Sequence, residues 1–237
     1  MFSENLLQIR SRIAAACERS GREPGDVRLI AVSKTKPVEM IREAYAVGQT
    51  EFGENKVQEM CQKAEELSEL PITWHLIGHL QKNKVRKAVA VAAMIHSVDT
   101  VELAAEIQKE AARIDKVQDI LLEVNVAAEE SKFGFRPDEV SAAADEINRM
   151  PNVRLCGLMT VAPYTENPSE NRVFFQQLRK LAVDIQSKKT DNVSVCCISM
   201  GMSNDFEEAV EEGATMVRVG SLIFGERHYA DKTEGSN

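Results

Sequence analysis

The stretch VSVCCISMGMSNDFEEAVEEGATMVRVGSLIFG, Val193–Gly225, decides the fold. It opens on a run rich in β-branched and apolar residues, VSVCCIS (193–199), and closes on a second, TMVRV (215–219), before GSLIFG. Between them lies NDFEEAVEEG, which reads as a helix, with Ser203 placed to cap it and Asp205 suited to its positive N-terminal end. Neither run alternates strictly between apolar and polar residues. Strands covered on both faces, as in parallel sheets, read this way.

The same unit recurs upstream. VRLIAV (27–32), a short and weak TEF (50–52), ITWHLI (72–77), AMIHS (93–97), QDILLEVNV (118–126) and VRLCGLM (153–159) are each followed by a helical stretch. Pro37, Pro137 and Pro168 open helices, the last running to about Lys188, and Gly48 suits a helix end. Residues 55–68 and 81–91 also read as helices. Asp99 with Glu102 three residues on reads as a capping box. Eight strand–helix units within 237 residues predict an α/β fold, a single (β/α)8 TIM barrel rather than an open sheet. Phe2, Leu6, Ile9, Ile13 and Cys17 recur at helical spacing, adding an amphipathic helix before the barrel. One domain over residues 1–229 is expected, with a flexible tail over 230–237.

Composition narrows the function. Hydrophobic residues make up 43% and charged residues 28% of the chain, enough for a substantial core. A net charge of −8 argues against nucleic acid as a partner. No stretch approaches the length of a membrane span, and charged residues interrupt the N-terminus where a signal peptide would be apolar. Five cysteines without a C-x-x-C, two of them adjacent at 196 and 197, read as reduced thiols. The four histidines show no metal-ligand spacing. A cytoplasmic protein without metal is expected.

In such a barrel, sites form where strands end, and a phosphate pocket often follows strands seven and eight. SMGMS (199–203) and GSLIFG (220–225) stand there. Each offers a glycine that admits a close backbone approach, hydroxyls, and a helical turn with outward N–H groups. Ser199, Gly201, Gly220 and Ser221 are the candidate residues; ordinary strand–helix turns are the other reading. Arg218 in MVRVG is either a structural ion pair or a ligand contact. Strand eight of a closed barrel adjoins strand one at about 5 Å. An anion at Gly220 therefore faces LIAVSKTKP (29–37) and its Lys34. Phosphate together with a lysine-reactive carbonyl describes pyridoxal 5′-phosphate (PLP), with Lys34 as Schiff-base amine. Lys36 shares its parity but abuts Pro37 at the helix start, so Lys34 is preferred. A lysine at a strand end is otherwise a solvated charge.

AVSKTKP, FGENKVQE, WHLIGHLQKNK, GLMTVAPY and SMGMSNDFEEAVEEGATMVRVGSLIFG together resemble the pyridoxal phosphate homeostasis protein family, from about Val27 to Tyr229. The resemblance implies a barrel like the N-terminal barrel of alanine racemase, a fold-type III PLP protein. It implies PLP bound covalently to the first lysine of S-K-T-K, Lys34. It implies phosphate held by the turns at Ser199 and Gly220–Ser221, and Arg218 against the pyridine nitrogen. Ser221 stands where family members often carry Thr. The family buffers or delivers PLP in vitamin B6 homeostasis without established turnover, and apo PLP enzymes are candidate recipients. A cation at the ring nitrogen disfavours the pyridinium on which much PLP chemistry depends. With the barrel expected to fill residues 1–229, no second domain is expected to complete a site as in the related racemases. A small amino-acid racemase is the alternative function.

Further residues carry two readings each. Asn55 either lines the mouth or caps a helix. Met159 either packs near the cofactor or fills the core. His79 either meets ligand or does not. Lys132 in ESKFGF is a candidate second amine. Lys82, Lys84, Arg86 and Lys87 form either a solvated helix face or an anionic partner's contact.

Overall fold

The computed structural model describes residues 2–129, 131–187 and 193–225. The eight strands are β1 (Arg28–Val32), β2 (Glu51–Glu54), β3 (Thr73–Leu76), β4 (Met94–Val98), β5 (Gln118–Glu123), β6 (Val153–Met159), β7 (Val193–Ser199) and β8 (Met216–Val219). The helices are α1 (Phe2–Arg19), α2 (Val38–Ala46), α3 (Val57–Glu66), α4 (Val85–Val91), α5 (Val101–Ala112), α6 (Val140–Ile147), α7 (Arg172–Gln186), α8 (Phe206–Glu211) and α9 (Ser221–Phe224). The expected tail from Ala230, the helix end near Lys188 and the limit of the domain at 229 lie outside the described residues.

All eight strands are parallel and close in chain order, so β8 returns to β1 with Ile30 opposite Arg218 and Ala31 opposite Val219. The apolar runs thus become a (β/α)8 barrel, with helices burying the outer face of each strand. Inside, Ile30, Met94, Leu121, Cys156, Met159, Cys197 and Met216 form a cluster of their own. Gly53 gives β2 no side chain there, and Ile30 and Ile77 fill the space: a Cβ at Gly53 would lie 2.9 Å from Ile30 Cγ2.

β6 departs from regular register at Cys156, where Leu155 pairs with Ile120 and Gly157 with Leu121. The departure brings Gly157 so close to β7 that a Cβ would lie 1.8 Å from the Cys197 carbonyl oxygen. Only glycine permits that approach.

Two expected caps are replaced. Thr100, not Asp99, caps α5: its hydroxyl accepts from Leu103 N–H at 3.2 Å, while Asp99 pairs with His79. Ser203 does not cap α8; its hydroxyl instead accepts from Gly220 N–H at 3.3 Å, and Asp205 stands at the cap position. In both, a tertiary partner captures a side chain that local pattern assigns to the nearest helix. Residues 81–91 are also not one helix: a 3₁₀ turn over Lys82–Lys84 precedes α4. β5 ends at Glu123 rather than 126, where Val124 bridges to Phe135.

α1 lies across the closing seam. Arg12 sits 4.6 Å over the Phe206 ring and pairs with Glu207, and Arg19 pairs with Glu207 and Glu211. Asn5 donates to the Ile223 carbonyl at 3.0 Å, so α1 also holds α9. Among the described residues, no helix is long and apolar enough to cross a membrane, and no cluster of His, Cys, Asp or Glu could hold a metal ion.

Candidate functional site

A cavity of about 520 Å³ opens at the C-terminal ends of the strands. Its polar wall carries Lys34, Lys36, Asn55, Ser203, Asn204, Arg218 and Ser221; Val32, Ile77, Val161, Met202 and Tyr164 supply the apolar wall. Among the described residues, three cations and no carboxylate line it. In a chain of net charge −8, that is a local inversion of sign suited to an anion.

Lys34 reaches the cavity on a tight turn. Lys36 N–H donates to the Ser33 carbonyl at 3.0 Å, and Thr35 has a φ of +64°. A positive φ at the third position is the signature of a type II turn, in which glycine or asparagine is usual. Lys36 turns its ammonium to the carbonyls of Phe224 and Gly225, both at 3.1 Å, tying this turn to α9.

Opposite, the β8–α9 turn presses on β1. A Cβ at Gly220 would sit 3.2 Å from the Val32 carbonyl oxygen and 3.3 Å from Val32 Cβ. Glycine there lets the turn carrying Ser221 meet the strand carrying Lys34. Gly201 has a φ of +87°, and its added Cβ would lie 2.5 Å from Ala209 Cβ, so its role is to seat α8 under the cavity. Gly201 and Ser199, expected in the cradle, are not on the cavity wall; Met202, Ser203 and Asn204 are. Met159 likewise lies in the interior cluster, while Asn55 lines the cavity and Lys56 takes the cap position of α3.

Ser199 lies in a polar column below the cavity. Its hydroxyl accepts from Arg218 Nη1 at 2.6 Å and stands 2.9 Å from His96 Nδ1. His96 Nε2 lies 2.9 Å from His75 Nδ1, and His75 Nε2 lies 3.0 Å from Glu51 Oε2. Glu51 is 3.6 Å from Arg28 at the opposite end of the barrel. The polarity of the column follows from its ends. A guanidinium only donates, so the Ser199 hydrogen is left for His96 Nδ1; His96 then donates from Nε2 and His75 donates to Glu51. Burial, with the charges of Arg218 and Arg28, holds His96 well below the ordinary histidine range, so it is neutral. Burial would raise Glu51, but the His75 N–H and the charge of Arg28 outweigh it and leave the carboxyl below its usual range. Arg218 is 4% exposed; its second nitrogen donates to the Thr160 carbonyl at 2.8 Å. Burial pushes it down to about 10, against the pull of Asp205 and Glu123, so it remains a cation at neutral pH. The sequence reading missed His75 and His96. Their shared parity inside two adjacent strands was the available signal.

Beside the cavity, burial and Asp99 push the Glu123 carboxyl up to about 7, against Arg218. His79 is off the cavity wall; it pairs with Asp99 and stacks on Phe133 at 4.0 Å. Lys132 pairs with Glu129 and reaches the Val161 carbonyl at 3.4 Å, at the rim. Lys82, Arg86 and Lys87 are exposed, and Lys84 is half-buried.

The cavity fits PLP on this chemistry. It has cations and hydroxyls for a phosphate, apolar side chains for a ring, an amine for an aldehyde, and a turn whose close approach depends on a missing Cβ.

The model of the alanine racemase N-terminal domain matches residues 5–228. The pyridoxal phosphate homeostasis protein of Aquifex aeolicus is 47% identical over 95% of this chain and 98% of its own length. That of Escherichia coli K12 is 38% identical over 98% of this chain and 99% of its own. PipY of Synechococcus elongatus with PLP bound is 38% identical, with a TM-score of 0.83 over 95% of this chain and all of that one. Alanine racemase of Clostridium difficile, at 14% identity and a TM-score of 0.74, shares the fold; this chain covers 57% of it.

Proposed function

The chain belongs to the pyridoxal phosphate homeostasis proteins, within the alanine racemase N-terminal domain family, and on that premise we propose that it is a PLP-binding protein of vitamin B6 homeostasis. It holds PLP as a Schiff base on Lys34 and buffers or delivers it in the cytoplasm without turnover of its own, with apo PLP-dependent enzymes as recipients. When bound, the cofactor would supply an aldehyde, and Lys34 would supply the amine that holds it. Gly220 and Ser221 hold the phosphate with Ser203, while Ser199 and Gly201 support from below. Arg218 would lie against the ring nitrogen as a cation, which would oppose its protonation and so weaken the electron sink that catalysis draws on. Asn55 would border the ring, and Met159 would support the site from the barrel interior.

The observation that carries this reading is Lys34 and Arg218 on one cavity wall with the Gly220–Ser221 turn. The test is borohydride reduction of the PLP-loaded protein and mapping of the adduct. Attachment at Lys34, and no racemisation of alanine or serine above the rate with free PLP, is the expected result. An adduct elsewhere, or substantial racemisation, overturns it.

A further inference from the structure

Lys63 is 6% exposed and lies on α3, outside the cavity wall. Its ammonium donates to the Ser33 carbonyl at 2.7 Å, to Glu54 Oε1 at 2.8 Å and to Glu59 Oε1 at 2.7 Å. An ammonium has three donors, and all three are spent. Glu54 is fully buried and also accepts from the Ser33 hydroxyl at 2.7 Å. Glu59 Oε1 accepts in addition from the backbone N–H of Thr35 at 2.6 Å.

These bonds fall on the two residues that flank Lys34: the carbonyl before it goes to Lys63, the N–H after it to Glu59. Between them the chain adopts the positive φ of Thr35, which a β-branched residue takes up only where its surroundings impose it. A buried lysine with two carboxylates is costly to desolvate and weak evidence for stability alone. A site that must hold one amine in one direction gives the arrangement a purpose.

We infer that Glu59 and Lys63 are positioning residues that clamp the Ser33–Lys36 turn and aim the Lys34 amine into the cavity before any cofactor arrives. This rests on Lys34 being the amine that reacts. The clamp shortens the search for the aldehyde by fixing the backbone on both sides of the nucleophile, so its loss slows capture without removing a group that touches PLP.

The test uses the full chain and the Glu59→Ala variant, which leaves the Lys63–Glu54 pair in place. Hydrogen exchange is read at the Thr35 amide in PLP-free protein, and the rate of borohydride-trapped adduct formation at limiting PLP. Both should change by roughly tenfold, the worth of one ordinary hydrogen bond: exchange faster, capture slower. Glu59→Gln, whose amide oxygen still accepts from Thr35, should restore both. Capture by Glu59→Ala at the full-chain rate overturns the inference, provided Lys34→Ala abolishes the adduct. A Lys34→Ala chain that still forms the adduct overturns the functional reading, and the clamp's purpose with it.

Discussion

His75 and His96 meet inside the barrel, Nδ1 to Nε2 at 2.9 Å, with neither ring exposed. This contact links the carboxylate of Glu51 at one end of the barrel to the guanidinium of Arg218 at the other. Replacing His96 by leucine leaves the Ser199 hydroxyl and His75 without their partner. His96→Leu should destabilise the protein by about 2–4 kcal/mol in urea unfolding.

The same histidine gives a pH dependence. Its folded-state affinity for protons is depressed by burial, so below the ordinary histidine value of 6.5 the unfolded chain takes up a proton that the native one refuses. Native stability should therefore fall as pH drops from 6.5 to 5, by up to about 1.4 kcal/mol per unit from this group. His96→Leu should lack this component, which unfolding curves at pH 7 and pH 5 would reveal.

Glu123 works in the opposite direction. Its carboxyl rises from 4.5 to about 7 on folding, through burial and Asp99, so the native state holds the proton longer than the unfolded one. The cost of ionising it appears as pH rises through 4.5 and is complete above 7. Glu123→Gln should stabilise the PLP-free protein at pH 8, by on the order of 3 kcal/mol at most, and leave it unchanged near pH 4. Equal effects at both pH values would count against the assignment.

At Gly157, β6 lies close against β7. Gly157→Ala would place a methyl 1.8 Å from a backbone oxygen that no rotamer change can move. A loss of about 3 kcal/mol or more is expected, read as a lowered Tm.

Gly220 asks for less accommodation. Its added Cβ would meet Val32 at 3.2–3.3 Å, a few tenths of an ångström too near. Gly220→Ala should cost only about 1 kcal/mol of stability. PLP should bind about tenfold more weakly, because the shift separates the β8–α9 turn from the strand carrying Lys34. Titration of absorbance with PLP measures it.

Sequence periodicity alone carried the barrel. Runs such as VRLIAV and VSVCCIS are apolar on both faces, and only a parallel sheet covered on both sides accommodates several of them. Lys34 and the Gly220–Ser221 turn were legible because the closure of β8 on β1 follows from counting strands. Where the reading failed, the side chain had two suitors. Ser203 has a helix start within reach and a distant amide at Gly220; the distant amide holds it. Ser199 ends its strand beside a turn that suits an anion, yet its hydroxyl is committed inward to Arg218 and His96.

The amino-acid order thus determined which residues alternate between strand and helix, and hence the ring of eight and the place of the amine. Only the folded barrel decided which polar groups meet across its interior and behind its first turn: His75 with His96, and Lys63 with Ser33, Glu54 and Glu59. The reason is physical. Hydrophobic periodicity is a local property repeated along the chain, whereas a buried donor binds whichever acceptor closure brings within about 3 Å, and that distance is set by the whole ring.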